Sequence, residues 1–482
     1  MTANSFYWHD YETWGADPRR DRPSQFAGLR TDLELNSIGD PLVLYCRPPA
    51  DQLPQPDACM ITGISPQKAL AEGLREADFI GRIHQELAWP GTCGVGYNSI
   101  RFDDEVTRFT LYRNFFDPYA REWQNGNSRW DIIDMVRLTR ALRPQGIHWP
   151  DHPDGRPSFR LEDLTGANGI GHEAAHDALS DVRATIAVAR LIRRQQPRLY
   201  DYLYRMRDKR RVAQLLDPGQ PRPVLHASSR YPAEYCGTAL VAPLLKDPQN
   251  SQGVVVYDLR HDPEPFLELT PEGLHARLFT PAARLPEGAT RLPVKTVRLN
   301  HCPVLAPMNT LTSEAAQRLD IDVRAAQRHL ERLISSPGLA ERIGQALGLG
   351  DRPPPGDVDQ GLYQGGFFSD GDRRRMEQVR QAGPQELARL RPAFEDPRLD
   401  ELLFRYRSRN WPETLSPEEK EFWRAFRRQR IYQPDDGIGF AGFLERVGEL
   451  RADPQVDPGR LALLDELEAY ARQLAADLEP GP

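Results

Sequence analysis

The sequence predicts an α/β domain followed by a β-rich unit and then an all-helical one. Strand-like and helix-like segments alternate over about the first 195 residues. Short β-rich runs between turns fill the middle, and helical periodicity alone fills the end. A chain of 482 residues is also too long for one ordinary core and long enough for about three domains of ~150 residues. The divisions are placed at residues 1–197, 198–350 and 356–482.

In the first domain, residues 6–13, 42–46 and 92–97 read as strands. Residues 76–88, 104–115, 132–142 and 177–194 read as helices, the last stopping before Pro197, whose ring ends a helix. The stretch 217–223, Asp-Pro-Gly-Gln-Pro-Arg-Pro, has neither periodicity and marks a boundary region. Beyond it, 238–245, 253–259 and 292–299 are β-rich and separated by Pro, Asn and Gly turns, as in a small barrel-like unit; helical segments follow. Residues 350–357, with Pro353, Pro354 and Pro355, form a semi-rigid linker. Near the end Leu464, Leu467, Ala471, Leu474 and Leu478 recur at three- and four-residue steps, making one apolar stripe.

Hydrophobic residues at 39% and charged residues at 27% describe a chain that folds rather than one that stays disordered. The first residues carry no basic leader with an apolar run, and no apolar stretch approaches the ~18 residues that span a bilayer, so a cytoplasmic protein with no membrane partner is expected; separately, a monomer is expected. Five cysteines without a Cys-x-x-Cys pair indicate reduced thiols. The net charge of −7 does not exclude a polyanionic partner, because local patches attract phosphate. Between Arg190 and Arg211 nine Arg or Lys residues face only Asp201 and Asp208, with smaller groups at Arg137, Arg140, Arg143 and at Arg405, Arg407, Arg409. A solvated helix face is the plainer account of such runs.

Three clusters carry chemistry. Asp10-Tyr11-Glu12 lies in the first strand, where alternation puts both carboxylates on one face, able to hold a hard cation. The same spacing recurs at Asp32 and Glu34 and at Asp262 and Glu264 without support, so the pair alone is a weak signal. The second cluster is Tyr97-Asn98-Ser99-Ile100-Arg101-Phe102-Asp103, just after a strand; here Asp103 is equally well a helix cap. The third is His176-Asp177-Ala178-Leu179-Ser180-Asp181, at the start of a helix, with Asp177 placed to cap it. His172 stands in the same relation to Asp177, and spacing does not choose between the two histidines.

In order and spacing, Asp-x-Glu, Asn-x-x-x-Phe-Asp and His-Asp-Ala-x-x-Asp resemble the DnaQ-like exonuclease superfamily with a histidine in its third motif. His9 to Thr13, Asp21-Arg22-Pro23-Ser24-Gln25-Phe26-Ala27, Ser128-Arg129-Trp130-Asp131 and Pro157-Ser158-Phe159-Arg160-Leu161 narrow the resemblance to bacterial exonuclease I. So do Cys302-Pro303-Val304-Leu305-Ala306, Gly366-Phe367-Phe368-Ser369-Asp370 and Leu403-Phe404-Arg405-Tyr406-Arg407. The resemblance implies a ribonuclease H-like exonuclease domain, an SH3-like middle domain and a helical C-terminal domain around a groove for single-stranded DNA. It also implies 3′→5′ hydrolysis to mononucleotides, in DNA repair, with Asp10, Glu12, Asp103 and Asp181 around two Mg²⁺ ions, Mn²⁺ substituting. His176 is then the general base, its ordinary pKa of about 6.5 suiting it to take a proton from water.

Residue by residue, the resemblance makes Glu12 and Arg160 contacts near the 3′ end, and Phe159, Arg108, Tyr119, Trp123 and Arg137 contacts along the strand. Arginine meets phosphate bidentately and aromatic faces stack on any base. It further implies binding of the acidic C-terminal tail of single-stranded DNA-binding protein at Arg143 and Tyr202, although residues 307–312 lack the Gln and Arg expected at their ends. Because Phe367, Phe368, Arg405, Tyr406 and Arg407 all follow the linker, the last region is expected to retain the strand between cleavages. A small-substrate relative such as an oligoribonuclease has no use for the ~290 residues beyond the first domain. A binding module leaves five intact catalytic side chains unexplained.

Overall fold

The computed structural model describes residues 4–172, 177–350 and 356–479. The chain forms two compact units: Met1–Ser128 with His172–Arg183 and Pro354–Pro482, and Arg129–Gly171 with Ala184–Pro353.

In the first unit, strands β1 (Ser5–Thr13), β2 (Pro23–Thr31), β3 (Ser37–Tyr45) and β4 (Thr92–Gly96) pair in the order β3-β2-β1-β4. β1 runs antiparallel to β2 and parallel to β4, so the strand that carries Asp10 and Glu12 has a neighbour on each side. Odd-numbered Tyr7 and Tyr11 pack with Phe26, Phe79 and Ile83, the last two from helix Glu76–Leu87. Even-numbered Asp10 and Glu12 therefore project from the opposite face. A Cβ on Gly28 would lie 2.3 Å from the Tyr7 hydroxyl, so only glycine lets that ring lie flat on β2. β3 is an edge strand, largely exposed over Ser37–Asp40, with Asp40 and Pro41 blunting it against further pairing.

Helix α1 (Asp103–Arg113) is buried nearly all round. One side joins the sheet's core through Val106 and Leu111; the other presents Phe109 and Tyr112 to Leu362, Met376, Val379, Leu399, Leu402 and Tyr406 beyond the linker. Each such side chain contributes about 1.5–3 kcal/mol on burial, so one short helix welds two distant stretches of chain. The stripe of Leu464, Leu467, Ala471, Leu474 and Leu478 is buried against Trp14, Leu53 and Cys59.

Between these cores lies a buried ionic network. Asp359 accepts from Arg22 (3.1 Å), Arg405 (2.8 Å) and Arg409 (2.9 and 2.6 Å). Arg409 also grips Asp51 through two bonds (3.1 and 2.7 Å), while Arg22 and Arg113 share Glu76. Arg405 and Arg430 meet Asp357.

Strand β5 (Ser128–Asp131) follows. The second unit's sheet comprises β6 (Val224–Ala227), β7 (Thr238–Lys246), β8 (Gly253–Asp258), β9 (Val294–Arg298) and β10 (Val304–Pro307), antiparallel in the order β10-β6-β7-β8-β9. Val224, Ala239, Val241, Val254, Val256, Val297 and Leu305 form its core. β7, β8 and β9 fall where strands are expected, whereas the four-residue β6 and β10 carry too short a pattern, and β2 opens on Pro23 and holds Gly28.

Candidate active site

Asp10 and Glu12 are the two less buried positions of an otherwise buried β1. Helix α2 (Ala178–Gln195) brings Asp181, whose N–H bonds the Asp177 carbonyl at 3.1 Å. One carboxylate oxygen each from Asp10, Glu12 and Asp181 lies within 4.8 Å of the others. Residues far apart in sequence thus meet at one end of β1.

Asp103 arrives by a different route. β4 ends in a turn where Asn98 takes a left-handed φ of 64° and where a Cβ on Gly96 would sit 2.5 Å from that of Ser99. The chain then enters α1 with Phe102 at the cap position and no side-chain cap bond. Asp103 instead turns its Oδ1 to the N–H of Tyr11 (3.0 Å), the peptide between the two β1 carboxylates. Asp177 does cap α2, accepting from Ser180 N–H at 3.2 Å.

Electrostatics set the cluster apart. Burial pushes the Asp10 carboxyl well above its ordinary value, and Asp103, Glu12, Asp181 and Asp177 push it further. Glu12 is raised in the same way, first by burial and then by Asp181, Asp103 and Asp177. Among the described residues, the charges that weigh most on these two groups are negative. Carboxylate oxygens that converge in this way fit a divalent cation.

His172 has its Nε2 against Oδ1 of Asp181. His176 lies outside the described residues.

The family model described as Exonuclease matches residues 7–189, that of the Exonuclease I SH3-like domain residues 207–348, and that of the Exonuclease I C-terminal domain residues 356–474. Exodeoxyribonuclease I of Escherichia coli K12 is 47% identical over 472 residues, covering 98% of each chain. The chain belongs to the exonuclease I family. Its structure resembles E. coli exonuclease I in complex with a dA16 oligonucleotide (46% identity, TM-score 0.94) and the complex described as ExoI/SSB-Ct (45%, TM-score 0.92); each comparison covers 98% of this chain and 100% of the other.

In this member of the family the expected strand contacts have unequal surroundings. Trp123 is 66% exposed. Tyr119 meets Phe367 edge-on at 5.6 Å, and Phe367 is 81% exposed. Arg108 is buried, with bonds to Glu122 (2.7 and 2.8 Å), Glu105 (2.8 Å) and the Tyr363 hydroxyl (3.0 Å), and lies 5.3 Å from the Tyr119 ring. Its charge is met inside the protein. Tyr363 left no signal in the sequence, since 258 residues separate it from Glu105.

Within the second unit, Arg160 is exposed and paired with Glu162. Phe159 lies under the guanidinium groups of Arg137 (5.5 Å) and Arg140 (5.7 Å), and Arg137 also pairs with Asp134. Arg143 donates to the Thr310 carbonyl at 3.2 Å, which sets it beside segment 307–312. The Tyr202 hydroxyl is buried and lacks a hydrogen-bond partner among the described residues.

The expectation that Phe368, Arg405, Tyr406 and Arg407 retain the strand is corrected by their burial. Arg405 is taken up by Asp357, Asp359 and Glu401, and Arg407 by Glu419 and the Thr414 carbonyl. Phe367 alone of the five stands in solvent.

Proposed function

We propose that the chain is a 3′→5′ exonuclease of single-stranded DNA that releases 5′-mononucleotides, using two Mg²⁺ ions, with Mn²⁺ as a substitute, at Asp10, Glu12, Asp103 and Asp181. The observation that carries this is the convergence of Asp10, Glu12 and Asp181 within 4.8 Å, with the carboxyls of Asp10 and Glu12 raised above their ordinary values. Bound there, divalent cations would supply the positive charge that offsets negative charge developing on a phosphodiester during hydrolysis.

The chain's own residues do the rest. Asp10 and Glu12 hold from β1, Asp181 holds from α2, and Asp103 is kept in place by the Tyr11 N–H. Fixed, buried groups need little rearrangement during reaction. His176 takes the proton from the attacking water. Arg160 meets the phosphate near the 3′ end, while Phe159, Tyr119 and Trp123 offer faces to bases without reading sequence, and Arg137 adds charge. Arg108 serves the Tyr119 face by holding that ring and Glu122.

Phe367 extends the aromatic surface at Tyr119, so the C-terminal region slows departure of the strand between cleavages. The solved complex described as ExoI/SSB-Ct supports binding of the acidic tail of single-stranded DNA-binding protein at Arg143 and Tyr202. Cytoplasmic DNA repair is the setting consistent with these partners; among the described residues no helix is long and apolar enough to cross a membrane. The domain divisions 1–197, 198–350 and 356–482 stand as part of the same proposal.

A time course on 5′-labelled single-stranded DNA, matched duplex and RNA, with Mg²⁺ or EDTA and with excess unlabelled trap DNA, tests the whole. A ladder shrinking from the 3′ end on single-stranded DNA alone, abolished by EDTA and persisting past the trap, is expected. Cleavage in EDTA, or shortening from the 5′ end, would overturn it.

A further inference from the structure

Gln25 is 2% exposed and lies on β2, opposite Glu12 on β1 and opposite Tyr45 on β3. Cross-strand partners share a face, so Glu12, Gln25 and Tyr45 form one row on the side that carries the carboxylates. The Gln25 Nε2 donates to the Tyr45 hydroxyl (3.2 Å) and to Oδ1 of Asp177 (3.3 Å), while its Oε1 accepts from the N–H of Ala178 (3.3 Å). One buried side chain thus holds both the cap and the first N–H of α2. The Lys68 ammonium lies 4.6 Å from the centre of the Tyr45 ring and closes the far end of the row.

This clamp meets a specific difficulty. α2 reaches the sheet from 152 residues away, so no local geometry sets the distance from Asp181 to Glu12. The carboxylates of Asp10, Glu12 and Asp181 repel one another, which drives α2 off the strand. The first N–H groups of a helix have no acceptor within it. A neutral amide beside Glu12 satisfies one of them and, through its NH₂, also ties down the cap carboxylate of Asp177. A carboxylate at the same position offers no donor and adds another negative charge.

We propose that Gln25 is a positioning residue that sets the spacing of Asp181 from Asp10 and Glu12, and thereby how tightly this cluster holds a divalent cation. The proposal rests on the metal-site reading above. Sites of this kind tolerate about 0.5 Å of displacement, and loss of an outer partner weakens metal binding by about 10- to 100-fold.

The test is direct Mn²⁺ binding by the full chain, followed by the electron paramagnetic resonance signal of free Mn²⁺, for wild type, Gln25→Leu and Gln25→Asn. Gln25→Leu keeps much of the volume without the bonds, and Gln25→Asn keeps the amide but falls short of α2. Both should bind Mn²⁺ about ten-fold more weakly, while turnover at saturating Mn²⁺ returns to within a few-fold of wild type. Should Gln25→Leu fail to fold, Gln25→Asn carries the test. Wild-type Mn²⁺ affinity in the variants, or turnover lost with affinity unchanged, overturns the role of Gln25. Absence of Mn²⁺ binding by the wild type overturns the metal-site reading instead.

Discussion

Two groups of buried carboxylates in the first unit use the same residue types to opposite ends. Asp51, Glu76 and Asp359, like Asp10 and Glu12, are pushed upward by burial. For Asp51, Arg409 and Arg430 outweigh burial; for Glu76, Arg22 and Arg113 do; for Asp359, Arg409, Arg22 and Arg405 do, so all three end below their ordinary values. Around Asp10 and Glu12 the neighbouring charges are carboxylates and the shift goes the other way. A cluster balanced by the protein's own arginines fastens chain to chain. A cluster left negative needs cations from outside, which is what a hydrolytic site uses.

The sharpest way to break this contrast is Asp10→Asn. Turnover should fall by about 10³-fold or more, the equivalent of several kcal/mol of lost transition-state stabilisation. Calorimetry of the metal-free variant should show a higher unfolding temperature than wild type, because one repelling charge is gone, and a smaller rise on adding Mg²⁺. Near-wild-type turnover would remove Asp10 from the site.

His176→Ala tests whether the negative cluster is served by a separate proton acceptor. A loss of about 10²- to 10⁴-fold in turnover is expected, with disappearance of the acidic limb of the pH–rate profile. An unaltered acidic limb would show that water loses its proton without this histidine.

In the other cluster, Asp359→Asn keeps the volume but leaves Arg22, Arg405 and Arg409 short of counter-charge. Breaking buried pairs in this way costs about 3–5 kcal/mol, read as a lower urea midpoint, with Mn²⁺ affinity unchanged. An unchanged midpoint would mean that the arginines are adequately paired by Asp51, Asp357 and Glu76.

The smallest effect is on acid stability. Carboxylates with depressed folded pKa values stabilise the fold above their unfolded values of about 3.9–4.3, and that contribution is lost as pH falls below them. From pH 4 to pH 3 wild type should lose stability through Asp51, Glu76 and Asp359, all held below their ordinary values, and Asp359→Asn should lose less. Equal acid sensitivity in the two proteins, by denaturant titration at each pH, would count against the arginine network as its source.

Much of this molecule was legible in the sequence because the relevant signals are local. Alternation along β1 puts Asp10 and Glu12 on one face whatever surrounds the strand, and three- and four-residue spacing aligns Leu464, Leu467, Ala471 and Leu474 before any partner is known. The three motifs and their order carried the family resemblance, and the fold class followed with it. Strand β2 was harder, because Pro23 and Gly28 read against a strand; pairing with β1 on one side and β3 on the other overrides that local preference.

Only the tertiary structure decided which charges are spent and which are available. Arg405, Arg407 and Arg409 read in sequence as a basic patch, yet Asp51, Asp357, Asp359 and Glu419 neutralise them in the interior. Phe367 and Phe368 are adjacent, and one stands in solvent while the other is buried. Gln25 gains its place through Asp177 and Ala178, far along the chain. Periodicity is a property of neighbours in sequence, whereas burial and counter-charge depend on residues that only the folded chain brings within a few ångströms.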